Sequence, residues 1–419
     1  MKVWLPCVRA LAAMAISISI GFAQTSTVER LQQALALSSA DGVLRARVSG
    51  TLDLEAYGIE SPSPALLEKD DGILLVPRLS VHLDSQLGSR LYGFAQARLD
   101  RGFDPGEGSM ELRLDEWALR YTPWEDGRLN VQVGQFSTVV GNWVRRHGSW
   151  ENPFINAPVP YEALTAIWDG RAARSTETLL RWAHLLSDTP REEFADKALR
   201  LPMLWGPAYT TGAAVSGRSG TIEYAFEVKN AAVSSRPETW AAGDSGWKFP
   251  TFSGRLGFRP NPAWDVGVSA SQGSYLTQAA AEELPAGANR DDFTQMLVGA
   301  DASFAWRHLQ VWAEAFHSRF RIPGVGDADV LGYYVEARVK VTPVLALAAR
   351  WNQQAWGALD DSRNGGRVRW GRDLWRLDLA PTYRLSAYSQ VKLQCSLSHE
   401  ARRNDPWNLL WATQVTTRF

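Results

Sequence analysis

The chain has 419 residues, with 44 Lys and Arg against 45 Asp and Glu and a formal net charge of −1 at pH 7. So even a balance argues against nucleic acid or a strongly acidic polymer as partner. The two cysteines, Cys7 and Cys395, exclude a disulfide framework, and a chain of about 400 residues would ordinarily fill two or three soluble domains.

The first segment reads as an export signal. Lys2 and Arg9 are basic, Leu11 to Ile20 is an unbroken apolar or small run, and Gly21-Phe22-Ala23 places small residues where a signal peptidase reads. The run is too short to span a bilayer as a helix. Residues 1–23 are therefore expected to be removed, which takes two positive charges away. Cys7 lies upstream of the apolar run, so no lipoprotein anchor is expected. Residues 24–42 form a short N-terminal periplasmic segment. There Val28, Leu31 and Leu35 suit either one amphipathic helix or an unstructured leader.

From residue 43 onward the pattern is alternation. Ile73, Leu75, Pro77, Leu79, Val81 and Leu83 fall on one face, and Arg78, Ser80, His82 and Asp84 on the other. Ile222, Tyr224, Phe226 and Val228 oppose Glu223, Glu227 and Lys229 in the same way, and Val391, Leu393, Cys395 and Leu397 oppose Gln390, Lys392, Gln394 and Ser396. A period of two means strands with one apolar face. A soluble sandwich also alternates, but its strands average about 5–6 residues, whereas a tilted membrane strand needs about 9–11. Here the runs are that long, and aromatics such as Trp117, Tyr121, Trp124, Trp264, Trp407 and Trp411 gather near their ends, as in interfacial girdles. No mature run is long and apolar enough for a spanning helix. The expected fold is all-β, a transmembrane antiparallel β-barrel over 43–419, because only a closed barrel leaves no strand edge unpaired in lipid.

Short turns are expected at 87–89, 123–128, 216–220, 259–263, 306–308, 341–343 and 385–387, and long connections at 58–72, 102–110, 232–249, 275–292, 321–330, 355–371 and 401–407. Short periplasmic turns alternating with long outer loops is the outer-membrane arrangement. Counting from both ends leaves 137–207 undecided. As one long loop it gives 16 strands; as a hairpin over 163–171 and 177–186 it gives 18. Sixteen is favoured, because 163–171 is short and 177–186 alternates poorly.

Alternation turns Arg78, Arg98, Arg113, Lys229, Arg255, Arg259, Arg338, Lys340, Arg350, Arg376, Lys392 and Arg418 inward. It also turns inward Asp84, Asp100, Glu111, Asp115, Glu223, Glu227, Asp265, Glu314, Glu336 and Asp378. Such a lumen is at most mildly anion-selective. The long loop carries three prolines (Pro153, Pro158, Pro160) and Trp143, Trp150, Phe154 and Tyr161. It suits a segment folded into the barrel, with Arg145, Arg146, His147, Glu151 and Glu162 as constriction candidates. The alternative is an outer lid packed on itself, its arginines paired to Glu151 and Glu162.

The last strand, Leu409 to Phe419, resembles the terminal signature of outer-membrane proteins, with Trp411, Val415 and Phe419 on alternate positions. That resemblance implies recognition by the barrel-assembly machinery and a place in the outer membrane of a Gram-negative bacterium, in contact with its lipid. Val133-Gly134-Gln135-Phe136 resembles a turn of the phosphate-selective porin O/P family, as do the length and turn pattern. This family implies a porin passing small solutes or inorganic ions without a cofactor, often as a homotrimer. Its phosphate-selective members carry arginine ladders and a lysine run. The mixed charge here departs from that, which puts phosphate specificity in doubt.

No enzyme is expected. His82, His147, His184, His308, His317 and His399 sit in no nucleophile motif, and there is no metal-binding spacing. The competing reading is a structural or partner-binding barrel.

Overall fold

The computed structural model describes the chain except residues 1–24, 60–64, 66, 68–71, 107, 184, 186–198, 242–244, 362–364 and 402–406. The expected signal peptide and His184 lie outside the described residues.

Sixteen strands make up the wall. They are β1 (Leu44–Ile59), β2 (Ile73–Leu87), β3 (Leu91–Asp100), β4 (Glu111–Tyr121), β5 (Asn130–Phe136), β6 (Thr210–Ser219), β7 (Ile222–Lys229) and β8 (Thr251–Asn261). The second half is β9 (Trp264–Ser274), β10 (Thr294–Trp306), β11 (Leu309–Ile322), β12 (Gly326–Lys340), β13 (Leu345–Trp356), β14 (Leu374–Arg384), β15 (Ser389–Glu400) and β16 (Trp407–Arg418). Each pairs antiparallel with the next, and β16 returns to pair with β1, Thr51 opposite Arg418 and Gly58 opposite Trp411. The sheet is closed. A helix, α1 (Thr25–Ala34), precedes the short strand Ala36–Ser38, which pairs with Arg45–Arg47 below the end of β16.

The pleat sorts the side chains. On β1, Leu54 is 53 % exposed while its neighbour Glu55 is 3 % exposed, so the apolar residues face outward. Leu75, Leu112, Phe252, Leu256, Val335 and Leu347 continue this apolar outer surface around the barrel. Apolar surface of this extent is matched by lipid rather than water. At the outer edge Trp351, Trp375 and His399 stack in a row, with Trp351 and Trp375 centred 5.2 Å apart, and Trp407 meets Trp375 and His399 edge-on. At the seam, the rings of Phe419 and Trp411 lie over Gly50 and Gly58, where a Cβ would collide with them.

Two sequence expectations need correction. The connection at 321–330 is not a long loop: β11 and β12 pair to their tips, Ile322 opposite Gly326. There the pattern inverts. Phe320, Ile322, Ala328 and Val330 face inward and are buried, while Arg319, Arg321, Asp327 and Asp329 face out above the apolar surface. The second correction concerns β4. A bulge opposite Gln96 and Ala97 turns both Asp115 and Glu116 inward, which shifts the parity beyond it.

The segment between β5 and β6 is a single connection, as the 16-strand count requires. It holds a 3₁₀ turn (Trp143–Arg146), a short helix α2 (Val159–Glu162), a strand Leu164–Trp168 paired with Arg200–Pro202, and helix α3 (Thr176–Trp182). Ser175 caps α3, its hydroxyl accepting the Thr178 N–H at 3.2 Å. The described residues of the proposed eighteen-strand hairpin thus belong to this inserted segment.

The candidate pore

Residues 137–162 run inside the barrel, held to the wall strand by strand, and Asp169 and Arg171 bond to the loop residues Arg236, Thr277 and Glu283. Gly141 makes the entry bend, with φ +76° and no room for a Cβ beside Tyr161 and Phe316. Thr138 donates to Glu227 on β7 at 2.6 Å, and the Gly141 N–H to Ser269 on β9 at 3.1 Å. Glu314 on β11 accepts the Trp143 N–H at 2.6 Å and the Tyr161 hydroxyl at 2.5 Å. Arg146 pairs with Glu336 on β12 at 2.6 Å and lies over Trp312. Further along, the Val159 N–H donates to Asn352 on β13 at 3.1 Å. Arg350 donates to Asn156, Arg376 on β14 pairs with Glu162, and Lys392 on β15 donates to the carbonyls of Ser149 and Asn152. Trp150 reaches the periplasmic end, under the guanidinium of Arg418 at 4.1 Å. Around these pins Val140, Trp143, Leu179, Leu201, Met203 and Leu204 form a buried apolar cluster.

The pins run from β7 to β15. On the opposite side the described residues show fewer ties: Glu116 accepts the Ser137 N–H at 3.0 Å, and Ile155 packs against Tyr57, Leu74 and Val76. The less covered strip is β1–β4, and two cavities lie along it. One of about 460 Å³ is lined by Ser49, His82, Asp84, Gln96, Glu116 and Arg120. The other, of about 250 Å³, is lined by residues including Glu55, Arg78, Arg98, Asp100, Phe103, Glu162 and Trp205.

The sequence-predicted basic residues divide between these two sides. Arg78, Arg98 and Arg113 stand on the open strip, each beside carboxylates. Arg78 pairs with Glu55, Arg98 with Asp115 at 3.2 Å, and Arg113 with Asp100 at 2.8 Å and Asp115 at 3.1 Å. Arg350, Arg376 and Lys392 are consumed in holding the loop. Arg255 is paired with Asp301 at 2.6 Å, and Arg338 donates to Gln310 at 3.1 Å.

The loop charges are not gathered in one ring. Arg145 lies exposed at the periplasmic end, 3.4 Å from Glu223. Arg146 is tied to the wall, Glu151 is exposed, and Glu162 faces Arg376 and the smaller cavity. Burial pushes the Glu162 carboxyl above its usual range against the pull of Arg376. His147 carries no charge near neutrality. Its Nδ1 lies 2.6 Å from the Val144 carbonyl, which can only accept, so Nδ1 holds the proton and Nε2 accepts from the Tyr209 hydroxyl at 2.7 Å. Burial lowers its pKa to about 4, and the nearby cations Arg98 and Arg78 add to the shift.

Sequence reasoning missed Asp53, Glu55, Glu116 and Asp301. The first two follow from the alternation of Leu52, Leu54 and Ala56 and could have been read. Glu116 was hidden by the bulge, and Asp301 sits among small residues that give little contrast. The approach of Phe103 and Trp205 to the same cavity has no local signal.

The sequence matches no family model, and no curated protein matches it. Several solved structures match the fold. OmpT of Vibrio cholerae, an outer membrane protein, aligns with a TM-score of 0.53 at 10 % identity, over 92 % of this chain and 100 % of its own. An anion-selective porin from Comamonas acidovorans aligns at 0.53 with 10 % identity, over 90 % of this chain and 100 % of its own. The outer membrane channel DcaP of Acinetobacter baumannii aligns at 0.54 with 11 % identity, over 91 % and 99 %. At such identities the likeness is one of fold: the chain has the closed 16-strand architecture of outer-membrane porins and channels.

Proposed function

We propose that this chain is an outer-membrane porin through which small hydrophilic solutes or inorganic ions diffuse passively, with at most mild anion preference. The observation that carries this reading is the asymmetric seating of 137–162. It is pinned to β7–β15 and leaves a charged strip along β1–β4 with two cavities on it. Flexible solvation by alternating charges, rather than one shaped pocket, suits diffusion over specific capture. Arg78, Arg98 and Arg113 are each neutralised locally, which supports weak selectivity and argues against a phosphate ladder. The constriction is assigned to Arg78, Arg98 and Glu162 together with neutral His147.

The same reading places the chain in the outer membrane of a Gram-negative bacterium after signal-peptide cleavage. Its assembly would pass through the machinery that reads the Trp411, Val415 and Phe419 row, and its working form would be a homotrimer in outer-membrane lipid. We assign it no catalytic role. The apolar cluster within the lumen favours one second reading, a plugged structural barrel. Planar bilayers separate the two. A porin gives stepwise conductance and a small reversal potential in a salt gradient. Purified, folded protein without steps would overturn the porin reading.

A further inference from the structure

Six basic side chains at the periplasmic mouth differ from those higher in the lumen. Arg45 and Arg47 share the inward parity of Asp53 and Glu55 on β1, below the level of Phe419. Arg218 is the penultimate residue of β6, Lys340 ends β12, Arg384 ends β14 and Arg418 ends β16, each on the inward parity of its strand and each exposed. Among the described residues none of the six has a carboxylate within ion-pairing distance. Arg218 donates to the Gly220 carbonyl at 2.9 Å, Arg418 to the Ala387 carbonyl at 3.0 Å, and Arg384 and Arg418 flank the ring of Trp150. These contacts hold the guanidinium groups in place without neutralising them.

The carboxylates at this level are mostly engaged elsewhere. Glu223 lies 3.4 Å from Arg145 and 3.3 Å from Arg259, and Asp265 lies 2.6 Å from Arg259. Asp126 pairs with Arg128 at 3.2 Å. Asp84 stands cross-strand from Arg47 but accepts the Tyr92 hydroxyl, Glu116 accepts the Ser137 N–H at 3.0 Å, and Asp41 and Glu125 stand on turns. The mouth is left with a positive excess, whereas Arg78, Arg98 and Arg113 at mid-height are compensated.

We propose that anion preference in this channel originates in this periplasmic ring of Arg45, Arg47, Arg218, Lys340, Arg384 and Arg418, and that it makes the channel rectify. The inference rests on the porin reading. Uncompensated charge at one mouth raises the local concentration of small anions there, over a Debye length of about 10 Å at 0.1 M salt and about 3 Å at 1 M. Anions drawn from the enriched mouth carry more current than anions drawn from the other, so current depends on the sign of the voltage. The ligands are small inorganic or carboxylate anions, held by field rather than by a shaped site.

The experiment uses single channels of the full protein in potassium chloride. Wild type is expected to favour chloride and to rectify at 0.1 M, and to lose both properties at 1 M. Arg45→Gln/Arg47→Gln and, separately, Arg218→Gln/Lys340→Gln alter only exposed side chains. Each pair is expected to lower the chloride-to-potassium permeability ratio at 0.1 M, and the four changes together to lower it at least twofold, with single-channel conductance at 1 M unchanged. Conducting variants that keep the wild-type reversal potential and rectification at 0.1 M would overturn the proposal, as would a linear, non-selective wild type. Absence of current steps in folded wild type would instead remove the porin reading, and this inference with it.

Discussion

The carboxylate of Glu314 accepts the backbone N–H of Trp143 at 2.6 Å, joining the first turn of the internal loop to the middle of β11. The same group accepts the Tyr161 hydroxyl at 2.5 Å, so one side chain ties two points of the loop to the wall. Both bonds are buried, and a donor left unsatisfied there costs about 1–3 kcal/mol. Glu314→Ala is therefore expected to loosen the loop and give larger, noisier current steps, with the barrel still closed. Single-channel recording on heat-modifiable, folded protein checks this; unchanged step size would show that the other pins suffice.

The compensation of Arg78 by Glu55 gives a second expectation. Arg78→Gln leaves Glu55 without its cation in the smaller cavity. The reversal potential is expected to move toward cation preference, and Arg78→Gln/Glu55→Gln to bring it back. A double variant that keeps the full shift of Arg78→Gln alone would mean that Glu55 is not the charge Arg78 compensates at the pore.

Phe419 and Gly50 form the last contact of barrel closure. Their backbones exchange hydrogen bonds, Phe419 N–H to Gly50 C=O at 3.0 Å and the reverse at 3.1 Å, and the Phe419 ring covers the glycine. Gly50→Val must push the ring away, a kind of overpacking that costs about 1–3 kcal/mol. A lower yield of folded barrel is expected, read from the heat-modifiable band on gels. Gly72→Asn, at a left-handed position with open space around it, is expected to fold normally.

His147 makes the loop sensitive to acid. Its pKa is depressed from the usual 6.5 to about 4, so the folded seat holds the neutral form. The stability this provides is fully present above about pH 6.5 and is lost as pH falls toward 4. Channel noise and protease cleavage within 137–209 are expected to rise over that window. His147→Gln, which does not titrate, is expected to remove that dependence.

The wall of this protein was legible in its sequence because side-chain parity in a strand is local. Leu54 beside Glu55, or Leu75 beside Val76 and Arg78, already states which face meets lipid, and Phe419 sets the phase of the last strand. Parity misled only where something interrupted or inverted it. At Asp115 and Glu116 one extra residue flips the face, and at Phe320 to Val330 the inner side becomes apolar because it packs on protein. The course of 137–209 had no such rule. Its path depends on partners far away in the chain, Trp143 with Glu314, Val159 with Asn352, Glu162 with Arg376, and nothing local to the loop encodes them. The sequence by itself therefore determined a barrel and its inward charges. Only the tertiary structure decided which of those charges are spent holding the loop and which still face the open strip, because that depends on distances between residues a hundred or more positions apart.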